Sequence, residues 1–200
     1  MEKREYRTND KGFSLIEMII VIAIIAIMTA AAMAVIGIMH SAKAKEASHT
    51  FEVQLAELQA SSRGQACVVG GTVQPDYQFT LVLHKHEGKY YLAKAYYDTT
   101  KGNRESDASY VYVNSENANG GLGISLSSYV VVKYTPKPPT GTGVEREIGE
   151  RTTNGGPVYI TFNRQGECIH GYGKYSFYKK SGNNKICDVQ LNRIGSRQSN

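Results

Sequence analysis

Three cysteines in 200 residues are too few for a dense disulfide scaffold. Proline is scarce as well: there are five, none before Pro75, and four of them lie between Pro136 and Pro157. Proline therefore breaks no helix in the first 74 residues. The sequence contains no Ser–His–Asp signature, no phosphate loop, no CxxC and no EF-hand spacing. Charge of either sign is also in short supply. Lys and Arg number 23 against 18 Asp and Glu, a net +5, which permits contact with nucleic acid or anionic surfaces without demanding it. At 20% charged and 41% hydrophobic residues, the chain is not compositionally disordered. Its length allows one domain, or one domain with an appendage.

Long apolar runs are absent too, with one exception. Apolar residues crowd into positions 13–39, and the rest is polar and holds most of the 14 Tyr and 20 Gly. From Met18 to Met39 only Thr29 and Gly37 are not strongly apolar. A helix over those residues is about 33 Å long at ~1.5 Å per residue, and a bilayer core is ~30 Å thick. The segment can cross a membrane. Lys3, Arg4, Arg7 and Lys11 precede it, and only Lys43 and Lys45 occur in the twenty residues from His40. That bias puts the N-terminus in the cytoplasm and the bulk of the chain outside. A signal anchor fits this pattern. So does a secretory signal cleaved among the small residues Thr29 to Ala34, which would leave a secreted β-rich domain with a binding or enzymatic task. Neither accounts for Glu17, a carboxylate at the edge of the run that calls for a partner charge.

Lys11–Gly12–Phe13–Ser14–Leu15–Ile16–Glu17, followed by the apolar run, resembles the class III signal of type IV pilins and type II secretion pseudopilins. The resemblance implies cleavage by a prepilin peptidase between Gly12 and Phe13 and methylation of the Phe13 amine. It also implies a role for Glu17 in assembly, pairing with the N-terminal amine of a neighbouring subunit inside a helix bundle. The implied partners are the peptidase, other pilin or pseudopilin subunits, the inner-membrane assembly machinery and, before assembly, the membrane. The protein is then a structural, minor subunit and not an enzyme, first in the membrane and later in a pilus or pseudopilus at the cell surface. Many relatives carry a proline in the second half of the run. Here Gly37 is the only residue there that strongly weakens a helix, by ~1 kcal/mol relative to Ala.

Beyond His40 the spacing stays helical. Ala44, Ala47, Phe51, Leu55 and Leu58 form an apolar stripe, and Ser61–Ser62–Arg63–Gly64 reads as a stop with Gly64 as cap. Period-two and β-rich runs follow at Tyr77–Leu83, Lys89–Tyr97, Ser109–Val113, Ile124–Tyr134, Val158–Asn163, Glu167–His170, Lys174–Tyr178 and Lys185–Leu191. Gly, Asn and Pro punctuate them, and Pro136–Pro157 reads as a loop with a short strand at Val144–Ile148. Such spacing predicts antiparallel hairpins and an α+β fold, a long helix packed on an antiparallel sheet. The organisation is a leader at 1–12, a membrane and assembly half of the helix at 13–39, an amphipathic half at 40–63, and a β-rich extracytoplasmic domain at 64–200. The run Val158–Gly166 with its β-rich tail is also similar to H-type pseudopilins and FimT-like minor pilins.

Other chemistry is sparse. His84 and His86 share one face of a strand and could begin a zinc site with His170, but two surface histidines at a strand end read more simply. Asp98, Asn103, Glu105 and Asp107 lie in a polar loop. Some pseudopilins bind calcium in such loops, but the spacing here fits a solvated loop, so no metal or other cofactor is assigned. Cys67, Cys168 and Cys187 face an oxidising exterior, where one disulfide and one free thiol is the natural count, with the pair left open. If the runs holding Cys168, Lys174–Tyr178 and Cys187 form a meander, that particular pair lies too far apart to bridge. Tyr90, Tyr91, Tyr96, Tyr97, Tyr110 and Tyr112 interleave with Lys89, Lys94 and Lys101, a composition that can bind single-stranded DNA. Tyrosine equally suits strands and half-buried faces, and DNA is not indicated.

Overall fold

The computed structural model describes residues 13–113, 121–137, 143–151, 156–180 and 184–199. The chain divides into two compact units, Met1–Met39 and His40–Asn200. Helix α1 (Leu15–Gly64) begins in the first and ends in the second, and it continues through Gly37. The strands that follow are β1 (Val68–Val69), β2 (Thr72–Val73), β3 (Tyr77–His86), β4 (Lys89–Asp98), β5 (Tyr110–Tyr112), β6 (Ile124–Ser125), β7 (Val130–Pro136), β8 (Arg146–Glu147), β9 (Val158–Phe162), β10 (Cys168–His170), β11 (Gly173–Lys179), β12 (Lys185–Leu191) and β13 (Arg197–Ser199). Short 3-10 turns at Thr99–Lys101 and Asp107–Ser109 lie between β4 and β5.

The second unit is α+β, as the order of elements predicts, but it contains two main sheets where one was expected. The larger runs β10-β9-β3-β4-β5 with β6 also on β4, the smaller runs β13-β12-β11-β7-β8, and β1-β2 is a separate hairpin. The pairings between strands are antiparallel. The chain crosses from one sheet to the other between β10 and β11, at Gly171. Its φ is +76°, and a Cβ there would come within 2.3 Å of the Tyr159 carbonyl oxygen, so this crossing requires glycine.

The helical stripe closes the core. Ala44, Ala47, Phe51, Leu55 and Leu58 are buried against Leu81, Leu83 and Ile160 of the larger sheet and Val132, Tyr175, Phe177 and Val189 of the smaller. Phe51 packs on Tyr175 and Phe177, with ring centroids 4.7 and 5.9 Å away. A second cluster of Val82, Ala93, Ala95, Tyr97, Tyr110 and Tyr159 buries the opposite face of the larger sheet. The central strands β3, β4 and β9 are thus covered on both sides, and for that reason Val158–Phe162 is buried at every position instead of alternating.

Several local expectations are corrected. Gly64 is the last helical residue and not a left-handed cap, since the Gln65 N–H still reaches the Ser61 carbonyl. The run Ile124–Tyr134 is two strands. At Ser127 the side-chain oxygen accepts from the Tyr129 N–H, a local bond that competes with the ladder. The expected strand Val144–Ile148 shortens to β8. The runs holding Cys168, Lys174–Tyr178 and Cys187 do not form a meander, because β10 lies in the larger sheet and β11 and β12 in the smaller. The turn residues Asn119–Gly120 and Ser181–Gly182–Asn183 lie outside the described residues.

Candidate functional site

The first described residues carry the most specific chemistry. Phe13 is 83% exposed and precedes the helix. At Ser14 the backbone N–H donates to Glu17 Oε2 at 2.8 Å, and the Glu17 N–H donates back to Ser14 Oγ at 3.3 Å. This is a reciprocal capping box, which satisfies two of the N–H groups that a helix start leaves unpaired. Glu17 also sits where the helix dipole favours negative charge. The box was legible in the pattern Ser14-x-x-Glu17 ahead of an apolar run, a signal that the sequence reading did not use. Gly12 and the residues before it lie outside the described residues.

Past the box the helix is apolar all round. From Phe13 to Met39 the large apolar side chains are 43–83% exposed. Apolar surface on every side has no stable partner in water, and by length and composition this helix is able to cross a membrane. Beyond His40 the same helix buries its stripe in its own domain. One helix therefore has two kinds of surface, one satisfied within the subunit and one left for a surrounding of lipid or other helices.

The remaining candidates fall in separate places. His84 is buried, not a surface residue. Its ring stacks on Tyr91 at 5.8 Å and Nε2 lies 3.1 Å from the Leu122 carbonyl oxygen, while Nδ1 has no partner among the described residues. Burial lowers its pKa to about 4. His86 stays partly exposed, and His170 pairs with Glu105 at 3.2 Å instead. That hydrogen bond, outweighing burial, holds the Glu105 carboxyl below its usual range. Asp98 caps the turn at Thr100, and Asn103 accepts from the Glu105 N–H. Asp107 Oδ1 accepts from the Tyr112 and Tyr159 hydroxyls and lies 3.6 Å from Arg151 Nε. Each member of the acidic loop thus has its own protein partner, and among the described residues no three His, Cys, Asp or Glu side chains form a metal cage.

Cys67, Cys168 and Cys187 are free thiols in this structure. Each points to a different carbonyl: Cys67 to Tyr77, Cys168 to His170 and Cys187 to Ala44. Cys168 on β10 and Cys187 on β12 lie in different sheets, and Cys67 lies just ahead of β1. Burial pushes the Cys67 and Cys168 thiols up to about 11 and about 12. The tyrosines do not form a stacking platform. Tyr90, Tyr91, Tyr97 and Tyr110 are buried, Tyr110 stacks on Tyr159 with centroids 4.1 Å apart, and Lys94 and Lys101 are bound to Glu57 and the Ala108 carbonyl.

Comparison with known proteins converges on the helix start. The family description "prokaryotic N-terminal methylation motif" matches residues 7–33, which take in the six residues before Phe13, the capping box and most of the apolar run. No curated protein and no solved structure matches the chain significantly. The chain thus carries the class III prepilin signal typical of type IV pilins and pseudopilins, on an α+β fold of the pilin kind. The closer likeness to H-type pseudopilins or FimT-like pilins finds no support in these comparisons.

Proposed function

We propose that this chain is a structural, minor subunit of a type IV pilus or a type II secretion-like pseudopilus and not an enzyme. The observation that carries the reading is the methylation motif at 7–33 leading into a helix whose first half is exposed and apolar on all sides and whose second half packs in its own domain. Residues 1–12 are the leader, 13–39 the membrane and assembly segment, 40–63 the amphipathic half of the helix and 64–200 the extracytoplasmic domain. A prepilin peptidase cuts between Gly12 and Phe13 and methylates the Phe13 amine. The subunit waits in the inner membrane with its N-terminus cytoplasmic and is then taken into a filament with other subunits by the assembly machinery. Minor status is favoured by a large, loop-rich domain, which suits dense lateral packing poorly.

Glu17 has two tasks in this scheme. The capping box uses Oε2 and the Ser14 amide, which stays a peptide amide after cleavage, so the box survives processing. The capping bond leaves the carboxylate able to pair with the Phe13 amine of a neighbour, which sets the axial register of the incoming subunit.

The test is a bulky substitution at Gly12, such as Gly12→Leu, read by mass spectrometry of the membrane-associated protein. The expected result is full-length, unprocessed chain. Normal Phe13 termini from that variant would refute the cleavage site.

A further inference from the structure

Only two lysines follow the apolar run closely in sequence, but the fold brings more to the same place. His40 opens the second unit, directly after the run ends at Met39. Its ring stacks on Tyr129, with centroids 4.8 Å apart and planes 21° from parallel. At the Tyr129 carbonyl the Lys180 N–H donates at 3.0 Å, and β11 ends there at Lys179 opposite Val130. On the neighbouring strand Lys185 pairs with Tyr178, and Cys187 reaches the Ala44 carbonyl of the helix. The end of the domain at which the chain leaves the apolar run therefore gathers Lys43, Lys45, Lys179, Lys180 and Lys185. Acidic groups lie among them: Glu46 binds Lys43 at 2.7 Å, Asp188 binds Lys185 at 2.8 Å and Lys174 at 2.9 Å, Glu145 accepts from the Tyr178 hydroxyl, and Glu52 lies near Cys187. Lys45 and Lys180 are exposed and point to no carboxylate among the described residues. Beside Tyr129 lies a groove of about 320 Å³, lined by Lys43 and its partner Glu46, by Thr50 and by the serines at 125, 127 and 128.

We propose that this end of the domain is a collar for anionic phospholipid headgroups, engaged while the subunit waits in the bilayer. The chemistry fits a phosphodiester. Lysine ammonium groups and serine hydroxyls are donors for its oxygens, and a half-exposed Tyr beside a His is the kind of ring that settles at headgroup depth. Basic residues held next to a membrane span are drawn to anionic lipid, an attraction that fades with salt. Orientation is not in conflict. Lys179, Lys180 and Lys185 belong to a large domain, and such domains cross the membrane largely regardless of charge. The collar would hold the domain against the membrane, and leaving the membrane for a filament would require its release.

The inference rests on residues 13–39 lying in a bilayer, and the experiment separates the two. The full processed chain is reconstituted in vesicles of phosphatidylcholine alone and of phosphatidylcholine with one-third phosphatidylglycerol, then labelled briefly with an amine-reactive reagent and read by peptide mass spectrometry. The expected result is at least threefold lower labelling of Lys45 and Lys180 in the anionic vesicles at low salt, restored at 1 M salt, with Lys94, bound to Glu57 further along the helix, unchanged. Equal labelling in both vesicles, with the chain floating with each, would overturn the collar alone. A decrease that Lys94 shares, or equal protection by dissolved phosphate over phosphatidylcholine, would overturn it as well. A chain that floats with neither vesicle would overturn both the collar and the membrane reading.

Discussion

Replacing Glu17 with Gln separates the two tasks assigned to that side chain. Glutamine has nearly the same size, and its carbonyl oxygen can still accept from the Ser14 N–H across the present 2.8 Å contact, so the capping box is kept. Only the charge is lost. If the carboxylate meets the Phe13 amine of a neighbour between packed apolar helices, removing it leaves a cation unpaired in a low-dielectric setting. Breaking one partner of such a pair costs about 3–5 kcal/mol, and at 1.4 kcal/mol per tenfold that lowers incorporation more than about a hundredfold. The complementary variant is Ser14→Ala. It removes the Oγ that accepts from Glu17 N–H but leaves the charge, and loss of an N-cap costs about 1 kcal/mol, less than about tenfold. Both processed proteins are expected in the membrane. The assay is separation of sheared filaments from membranes, each fraction probed for this subunit. Glu17→Gln should nearly empty the filament fraction, and Ser14→Ala should thin it. Equal filament content in Glu17→Gln and the parent refutes the pairing. A loss in Ser14→Ala as deep as in Glu17→Gln would show that the helix start, and not the charge, is what assembly needs.

Three further predictions follow from the domain. Phe51→Ala removes a fully buried ring lying between Tyr175 and Phe177 and should cost about 3–5 kcal/mol in denaturant unfolding followed by near-ultraviolet dichroism; a cost under about 1 kcal/mol would contradict the shared core. His84 is held neutral, with a pKa of about 4 against ~6.5 when unfolded, so its contribution is complete above pH 6.5 and is lost as pH falls towards 4. Between pH 7 and pH 5 it should account for about 2 kcal/mol of lost stability that His84→Gln no longer shows, and an unchanged pH dependence in that variant would refute the burial argument. Finally, alkylation under denaturing conditions without reductant should add three labels per chain, and recovery of only one would show that a bridge forms after all.

What could be read beforehand follows from the range of the forces involved. The helix and its stripe were legible because 3.6-residue periodicity is local, and Ala44 to Leu58 are buried as that spacing requires. Most longer strands were legible for the same reason, since Gly and Asn turns bracket them, but the two-residue strands of the β1–β2 hairpin were too short to show a period. Sheet membership was not. Nothing near Gly171 marks it as a crossing, because the demand for glycine comes from the distant carbonyl of Tyr159. β13 escaped notice because Arg197–Ser199 is polar and has no alternation. It is positioned by the turn at Gly195 and by Arg197, whose Nη1 donates to Gln59 Oε1 at 3.2 Å. His84 looked like a surface residue because its cover, the Leu122 segment, lies 38 residues away. The lysines around His40 were separated by more than 130 residues of sequence. At the candidate site the order reverses. Gly12, Phe13 and Glu17 are proposed from sequence alone, because the motif that carries them is short and linear, and the structure adds the Ser14–Glu17 capping box.

The mature N-terminus tests the central claim most directly. The protein is purified from membranes or filaments of cells that contain a prepilin peptidase, digested, and its N-terminal peptide is weighed and fragmented. The account predicts a first residue of Phe13 carrying one methyl group on its amine. A chain that still begins at Met1 would make the segment a signal anchor, and a start between Ala32 and Met39 would make it a secretory signal; either result contradicts the account.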